Sequence, residues 1–250
     1  MNALIFAAGL GTRLKPLTDT KPKAMVSVNG KPLIQILIER LKSAGVDKLV
    51  VNVHHFADQI IDFIESNDRF GINIMFSDER DLLLETGGGL KKALPLFGND
   101  EPVIVHNVDI LSDADIRALF DEASSLFMAG ESIVGAVMLT SWRDTQRYLL
   151  FDDDNNLVGW TNIATGQVKS PYKNLDVNLY HKYAYSGIQV FNPKIYEYMN
   201  GWEGKFSIID FYLSICDKVQ IKGSPVPDLN LLDVGKLDSI AKAERFLCKE

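Results

Sequence analysis

The chain has 250 residues, 46% of them hydrophobic and 24% charged, with 26 basic against 33 acidic residues and a net charge of -7. A length of this order buries a sizeable core in one large domain or two small ones, and the acidic balance excludes a broad basic field for nucleic acid. The two cysteines, Cys216 and Cys248, form no short-spaced motif, which excludes a disulfide framework or a zinc site and suits free thiols in a reducing cytoplasm.

No apolar run approaches the roughly 18 residues needed to span a bilayer. The N-terminus enters a folded pattern at once rather than a basic-then-apolar leader. The expectation is a cytoplasmic protein with no membrane partner, a monomer or a small homo-oligomer.

In chain order, Ala3–Ala8 reads as a buried strand. Pro32 opens a helical spacing (Leu33, Ile36, Leu37, Arg40, Leu41), and Gly45 is placed to end it. Lys48–Val53 is the next strand, followed by a helix from Ala57 to Glu65 and the strand Ile72–Phe76. A helix starts near Gly87–Gly89, and Val103–Val105 is another buried strand. Strands separated by helical stretches imply crossover units and a mainly parallel sheet. In "LSDADI", Ser112 stands three residues before Asp115, an approximate capping box for a helix reaching Glu122.

From Ile133 the rhythm changes. "SIVGAVML" is a strand, and "YLLFDDDNNLVGW" is two β-rich segments around a polar turn, a hairpin by its spacing. The cluster Asp152–Asp154 invites a calcium loop, but Leu157 stands where that loop needs glycine and Ile163 where it needs a bidentate glutamate. Residues 164–184 are polar and read as a surface loop. "AYSGIQVF" returns as a strand, helices follow near 193–200 and 207–216, and the chain closes with "LLDVGKLDSIAKAERFL".

The most informative stretch is the first loop. A strand ending in Gly9-Leu10-Gly11 bares backbone amides where a ligand can approach. A dinucleotide fingerprint needs a third glycine where Leu14 stands, and a Walker loop needs a glycine spacing that occurs nowhere in the chain. A plain solvated turn stays open as a reading. Thr12-Arg13, Pro16-Leu17-Thr18 and Pro22-Lys23 fall in order in one proline-stiffened loop, however. That arrangement suits a nucleoside triphosphate held by amides and Arg13, with Lys23 reaching a second phosphate group.

The string "AAGLGTRLKPLTDTKPKAMVSVNGKPLI" resembles the signature of the sugar-phosphate nucleotidyltransferases, through Gly9, Gly11, Arg13, Pro16, Thr18, Pro22-Lys23 and Lys31-Pro32. The resemblance continues through "VNVHH" at 51–55, "LLETGGGL" at 83–90, "IVHNVDI" at 104–110, "YSGIQVF" at 185–191 and "LLDVGK" at 231–236. It implies an α/β fold, a Rossmann-like three-layer αβα sandwich with a mixed, mostly parallel sheet, of the GT-A-like nucleotidyltransferase type. It also implies a single domain over 1–250, with a nucleotide-binding half at 1–110 and a sugar-phosphate-binding half at 111–250.

The same resemblance implies that a sugar 1-phosphate attacks the α-phosphorus of a nucleoside triphosphate and pyrophosphate leaves. Arg13 would hold the leaving end, and Lys23 would neutralise the α-phosphate and the incoming phosphate. Ala8, Gly9, Gly11, Thr12, Glu85, Gly87 and Gly88 are implied to bind the nucleotide, with Thr86 at the pocket edge and Gly89 alongside. Asp109 and Asp233 are implied as ligands of Mg2+; a helix cap and a turn carboxylate are their alternative readings. Tyr185, Ser186 and Gly187 match the sugar-side strand, though an interior Tyr-Ser pair reads nearly as well.

Two departures stand out: Val108 replaces the usual glycine before the first aspartate, and Lys236 replaces the usual threonine after "DVG". A Glu-Lys-Pro motif common in larger members is absent, and Asn162 is its nearest stand-in. His54, His55, His106 and His181 read as structural or loop residues, and Trp142, Trp160 and Trp202 as packing. The compact length, the paired histidines and "LETGGG" most resemble the N-acetylmuramate 1-phosphate uridylyltransferase branch, which serves cell-wall sugar recycling. Guanylyl- or thymidylyltransferases of mannose, glucose or heptose 1-phosphate, a choline-phosphate cytidylyltransferase, and a non-catalytic nucleotide-sugar sensor remain as alternatives.

Overall fold

A computed structural model describes residues 1–98, 100–129 and 132–248. The first part of the chain runs β1 (Asn2–Phe6), a small hairpin of β2 (Ser27–Val28) and β3 (Lys31–Pro32), α1 (Leu33–Ser43), β4 (Lys48–Val53), α2 (Ala57–Ser66), β5 (Asn73–Asp78), α3 (Glu85–Ala93) and β6 (Val103–Asn107). The second part runs β7 (Ile110–Ser112), α4 (Ile116–Met128), β8 (Val134–Ser141), β9 (Arg147–Phe151), β10 (Leu157–Asn162), β11 (Gln167–Lys169), β12 (His181–Phe191), α5 (Ile208–Ile215), β13 (Gln220–Pro225), β14 (Leu231–Asp233) and α6 (Leu237–Leu247).

The sheet is mixed. β6, β1, β4 and β5 lie side by side and parallel, and a crossover helix leads into each of β4, β5 and β6. The long strand β12 then pairs antiparallel with β6, β8 and β9, and the sheet continues antiparallel through β10 to β11, while β13 lies parallel to β8. One sheet therefore joins a parallel half to a more antiparallel half, as expected.

Period-two alternation in β1 builds the layers. Ala3 and Ile5 enter the core beneath α1, α2, α4 and α6, while Leu4 enters the opposite core with α3 and α5. In α1 the buried residues are Leu33, Ile34, Leu37, Ile38 and Leu41, a stripe at helical spacing. At about 1.5–3 kcal/mol per buried aliphatic side chain, this stripe rather than intrinsic propensity holds the helix. Gly45 follows with φ +96°, the conformation that ends the helix cheaply.

The fold corrects several boundaries. β1 stops at Phe6, because the amides of Ala7 and Ala8 leave the ladder and donate to Asn52 Oδ1 at 2.6 and 3.1 Å. Asp115, not Ser112, caps α4: its carboxylate accepts from the Ala118 amide at 2.9 Å, and the helix continues to Met128. Ser112 instead ends β7, a three-residue strand with no sequence signal of its own, paired with β14. The stretch read as a loop at 164–184 holds β11 and the start of β12. Asp152 fastens the hairpin turn by accepting from the Asp154 and Asn156 amides at 3.0 and 2.7 Å, as a turn carboxylate does. No helix among the described residues is long and apolar enough to cross a membrane, and both cysteines are free thiols.

Candidate active site

The C-terminal rim of the parallel strands is where an open α/β sheet offers its crevice. A cavity of about 240 Å³ opens there, lined by Phe6, Ala8, Gly9, Lys23, Asn52, Glu79, Leu83, Glu85, Thr86, Asn107, Val108 and Asp109. Gly9 has open space where a side chain would stand.

The loop after β1 is held rigidly. Gly11 adopts φ +64°, and a Cβ there would lie 3.0 Å from both the Lys23 Cβ and the Thr18 Cγ2. Only glycine satisfies that conformation and that approach together. The buried Thr18 hydroxyl donates to the Gly11 carbonyl at 2.8 Å, and the Leu14 amide donates to the same oxygen at 2.9 Å. The motif Gly11-x-Arg13 with Thr18 and Lys23 is thus one folded unit, with Thr12 and Arg13 on its exposed side.

Lys23 is 9% exposed, and its ammonium forms an ion pair with Asp109. β14 delivers the second carboxylate. Asp233 sits opposite Ile110 in the β7–β14 ribbon, and the Val234 amide donates to the Asp109 carbonyl at 2.8 Å. Desolvation first, and then the neighbouring Asp109, push the Asp233 carboxyl above its ordinary range; Lys23 and Arg13 pull it the other way. A Cβ on Gly235 would meet Asp233 Oδ1 at 2.7 Å and the Arg13 guanidinium at 2.9 Å, so Arg13 closes over the same point. Residues 13, 23, 109 and 233 therefore converge although up to 220 positions separate them in the chain.

Two adjacent carboxylates that destabilise one another suit a hard divalent cation, and magnesium needs only one or two protein carboxylates while keeping several waters. Among the described residues no larger cluster of His, Cys, Asp or Glu competes for such an ion. Asp109 and Asp233 fit the magnesium that the family resemblance implies.

The cavity wall also contains residues that sequence reasoning missed. Glu79 is 1% exposed, accepts from Asn52 Nδ2 at 2.8 Å and from the Leu84 amide at 3.1 Å, and burial raises its pKa above the usual value. Asn52, through its other end, fixes the Ala7 and Ala8 amides. A polar pair at the ends of adjacent apolar strands was the available signal. His54 Nδ1 donates to the Glu79 carbonyl at 2.8 Å, a supporting contact.

Glu85 and Thr86 line the cavity, but Gly87 and Gly88 do not open onto it. A Cβ on Gly87 would lie 2.3 Å from Phe206, one on Gly88 2.3 Å from the Gly204 carbonyl, and both amides donate to the Phe206 carbonyl. Those glycines let α3 press against the segment before α5. Gly89 packs the same way against Glu79 and Asn52.

On the sugar side, Ser186 is 1% exposed and its hydroxyl donates to the Leu139 carbonyl at 2.7 Å, so it fixes a bulge in β12 rather than facing a ligand. Gly187, at φ +82°, permits the close approach of Asn107, whose Nδ2 would be 2.8 Å from a Cβ there. The Asn162 carboxamide oxygen accepts from the Ala164 amide at 3.0 Å and so closes the turn after β10. Tyr185 lines a second, neighbouring hollow. Val108 is 4% exposed within the helix-side core, so it packs rather than crowding the cleft with its side chain. Lys236 precedes α6, where its amide donates to Ser239 Oγ at 3.2 Å.

With the geometry in view, comparison with known proteins decides the class: the nucleotidyl transferase family profile matches residues 2–250. The chain belongs to that family. It is similar to an N-acetylmuramate alpha-1-phosphate uridylyltransferase of Neisseria meningitidis, at 47% identity over 50% of this chain and 54% of the relative. It is also similar to one of Caulobacter vibrioides, at 36% identity over 84% of this chain and 82% of the relative. Among solved structures, a protein of Bacillus anthracis named a putative glucose-1-phosphate thymidylyltransferase aligns with TM-score 0.79 at 18% identity, covering 98% of this chain and 94% of that one. HddC from Yersinia pseudotuberculosis, complexed with GMP-PN, aligns with TM-score 0.74 at 24% identity over 98% and 99%. Both show the shared fold, and this nucleotidyltransferase carries its two cations and two carboxylates at the rim where that fold's strands end.

Proposed function

We propose that this nucleotidyltransferase joins UTP to N-acetylmuramate 1-phosphate, forming UDP-N-acetylmuramate and pyrophosphate in cytoplasmic recycling of cell-wall sugar. The observation that carries the reading is the convergence of Arg13, Lys23, Asp109 and Asp233 on one rim, in a chain 47% and 36% identical to two enzymes of that name.

A phosphate oxygen of the sugar 1-phosphate forms the new bond to the α-phosphorus, the bond to the β-phosphate bridge breaks, and pyrophosphate leaves with the electron pair. The obstacle is electrostatic, since two anions must meet. Lys23, already buried beside Asp109, neutralises charge at the α-phosphate and the incoming phosphate, and Arg13 receives the leaving end. The amides of Gly9, Gly11 and Thr12 hold the phosphates, the Ala8 amide being taken by Asn52, with Glu85 and Thr86 at the pocket edge. Asp109 and Asp233 would hold magnesium, which supplies further neutralisation of the triphosphate.

Pyrophosphate release from a panel of triphosphates and sugar phosphates with magnesium tests this directly. The expected result is turnover led by UTP with N-acetylmuramate 1-phosphate. Turnover led by another pair reassigns the substrate, and nucleotide binding with no release across the panel overturns the catalytic reading.

A further inference from the structure

Beside the cleft lies a second hollow of about 400 Å³ on the antiparallel half, reached by Tyr185 of the strand read as the sugar side. Its floor comes from alternate residues of three adjacent strands. Arg147 and Leu149 of β9, Trp160 of β10 and Lys169 of β11 share one face, since Leu149 pairs with Trp160 and Trp160 with Lys169. Arg143, Tyr185, Ser207, Ile209 and Asp210 complete the wall.

The charge there is unusual for a chain whose net charge is -7. Lys169 is satisfied by Asp210 at 2.7 Å and lies 5.4 Å from the centre of the Trp160 ring. The two arginines are not satisfied. Arg143 donates one bond, to the Tyr185 carbonyl at 3.0 Å, and among the described residues neither it nor Arg147 has a carboxylate partner. Two forked guanidiniums facing one hollow present a site for a planar anion.

The hollow is joined to the nucleotide cleft by two short routes. Tyr185 leads through Ser186 to Gly187, which touches Asn107, two residues before Asp109. Across the cleft, the Ile208 amide donates to Thr86 Oγ1 at 3.0 Å, so the wall residues Ser207 and Ile209 continue directly from the cleft's edge.

Resting on the reading proposed above, we infer that Arg147, assisted by Arg143, is the specificity determinant that grips the carboxylate of the substrate's lactyl ether. N-acetylmuramate differs from N-acetylglucosamine by that group alone, and the carboxylate is ionised at neutral pH. A site that, among the described residues, leaves two guanidiniums without carboxylate partners binds the acidic sugar well. It favours that sugar over the neutral one, which offers the guanidiniums no charge to pair with. Asn162, the residue opposite Arg147 in the β9–β10 ladder, has its carboxamide oxygen held by the Ala164 amide and carries no charge, so the charge at this point of the face is the arginine's.

The test compares N-acetylmuramate 1-phosphate with N-acetylglucosamine 1-phosphate in the full-length enzyme and in R147A, R147K and R143A/R147A. Both arginines are exposed, so the variants are expected to melt like the parent. The expected result is a loss of kcat/KM on the acidic sugar on the order of 10- to 100-fold in R147A, carried by KM, with kcat and the neutral-sugar parameters unchanged. R147K should recover part of the loss, since it keeps charge without the fork. An R147A enzyme whose preference between the two sugars is unaltered overturns the inference and leaves the proposed function standing. Equal losses on both sugars also overturn it, by showing that the cations serve the shared 1-phosphate. A parent enzyme that never turns over N-acetylmuramate 1-phosphate removes the proposed function, and the inference with it.

Discussion

The two halves of the sheet handle charge in opposite ways. At the cleft on the parallel half, buried ionic groups engage their neighbours: Lys23 holds Asp109, Asp233 leans on both, and Glu79 is buried against Asn52 and the Leu84 amide. On the antiparallel half, Arg143 and Arg147 sit exposed and, among the described residues, without carboxylate partners. Machinery common to every substrate gains from groups fixed before the substrate arrives, because no reorganisation is then needed at the moment of reaction. A surface that must tell one sugar from another keeps its cations available.

The largest break in that contrast comes from the carboxylates. Asp109→Ala is expected to lower turnover on the order of 10³-fold or more, measured as pyrophosphate release, while thermal melting shows an intact fold; Asp109 stands at the rim and adds little to the core. Nearly unchanged activity would remove Asp109 from the chemistry. Lys23→Ala should cost about 3–4 kcal/mol of transition-state stabilisation, with steady-state kinetics showing more damage to use of the sugar phosphate than to nucleotide binding. Equal damage to both would end that division of labour.

Proton linkage sharpens the comparison from inside the parallel half. His106 is fully buried on β6, and burial brings its pKa from 6.5 down to about 4, against a smaller opposing effect from the Asn107 carbonyl. Above pH 6.5 the ring is neutral in both folded and unfolded chains, and its stability contribution is intact. As pH falls, the unfolded chain takes a proton that the folded chain refuses, so stability declines and the loss is complete below about pH 4. The full loss is about 3 kcal/mol, and denaturant melts of the parent against His106→Gln should show the steeper slope in the parent. The smallest expected effect is Gly11→Ala, which forces an L side chain to φ +64° and costs about 1–2 kcal/mol. Melting and KM for the triphosphate should both register it, and an unperturbed KM would show that the loop yields without consequence.

Much of this was legible in the primary structure because local rules and tertiary needs agreed. The parallel strands read as apolar runs, α1 read by its spacing, and Arg13, Lys23, Asp109 and Asp233 stood in motifs that the fold brings to one rim. What escaped depended on partners far along the chain. β7 is three residues whose pairing with β14 spans more than a hundred positions, so no local periodicity could announce it. Ser112 and Asp115 are both good caps by composition, and only the geometry of α4 chose the second. The glycines at 87 and 88 looked like ligand-facing backbone, yet the close approach they permit is to Phe206 and Gly204. Asn52 lies inside "VNVHH" with no role assigned to it, and Glu79 follows an apolar strand; what joins the two is that β4 and β5 lie side by side.

The β7–β14 ribbon has a consequence for how the enzyme comes into being. Because Asp233 is stitched beside Asp109 only when residues 231–233 pair with 110–112, a polypeptide cut short before that segment would possess a near-complete sheet and half an acidic pair. During synthesis Asp109 would therefore stand without its partner carboxylate until the segment carrying Asp233 has been made and has found β7.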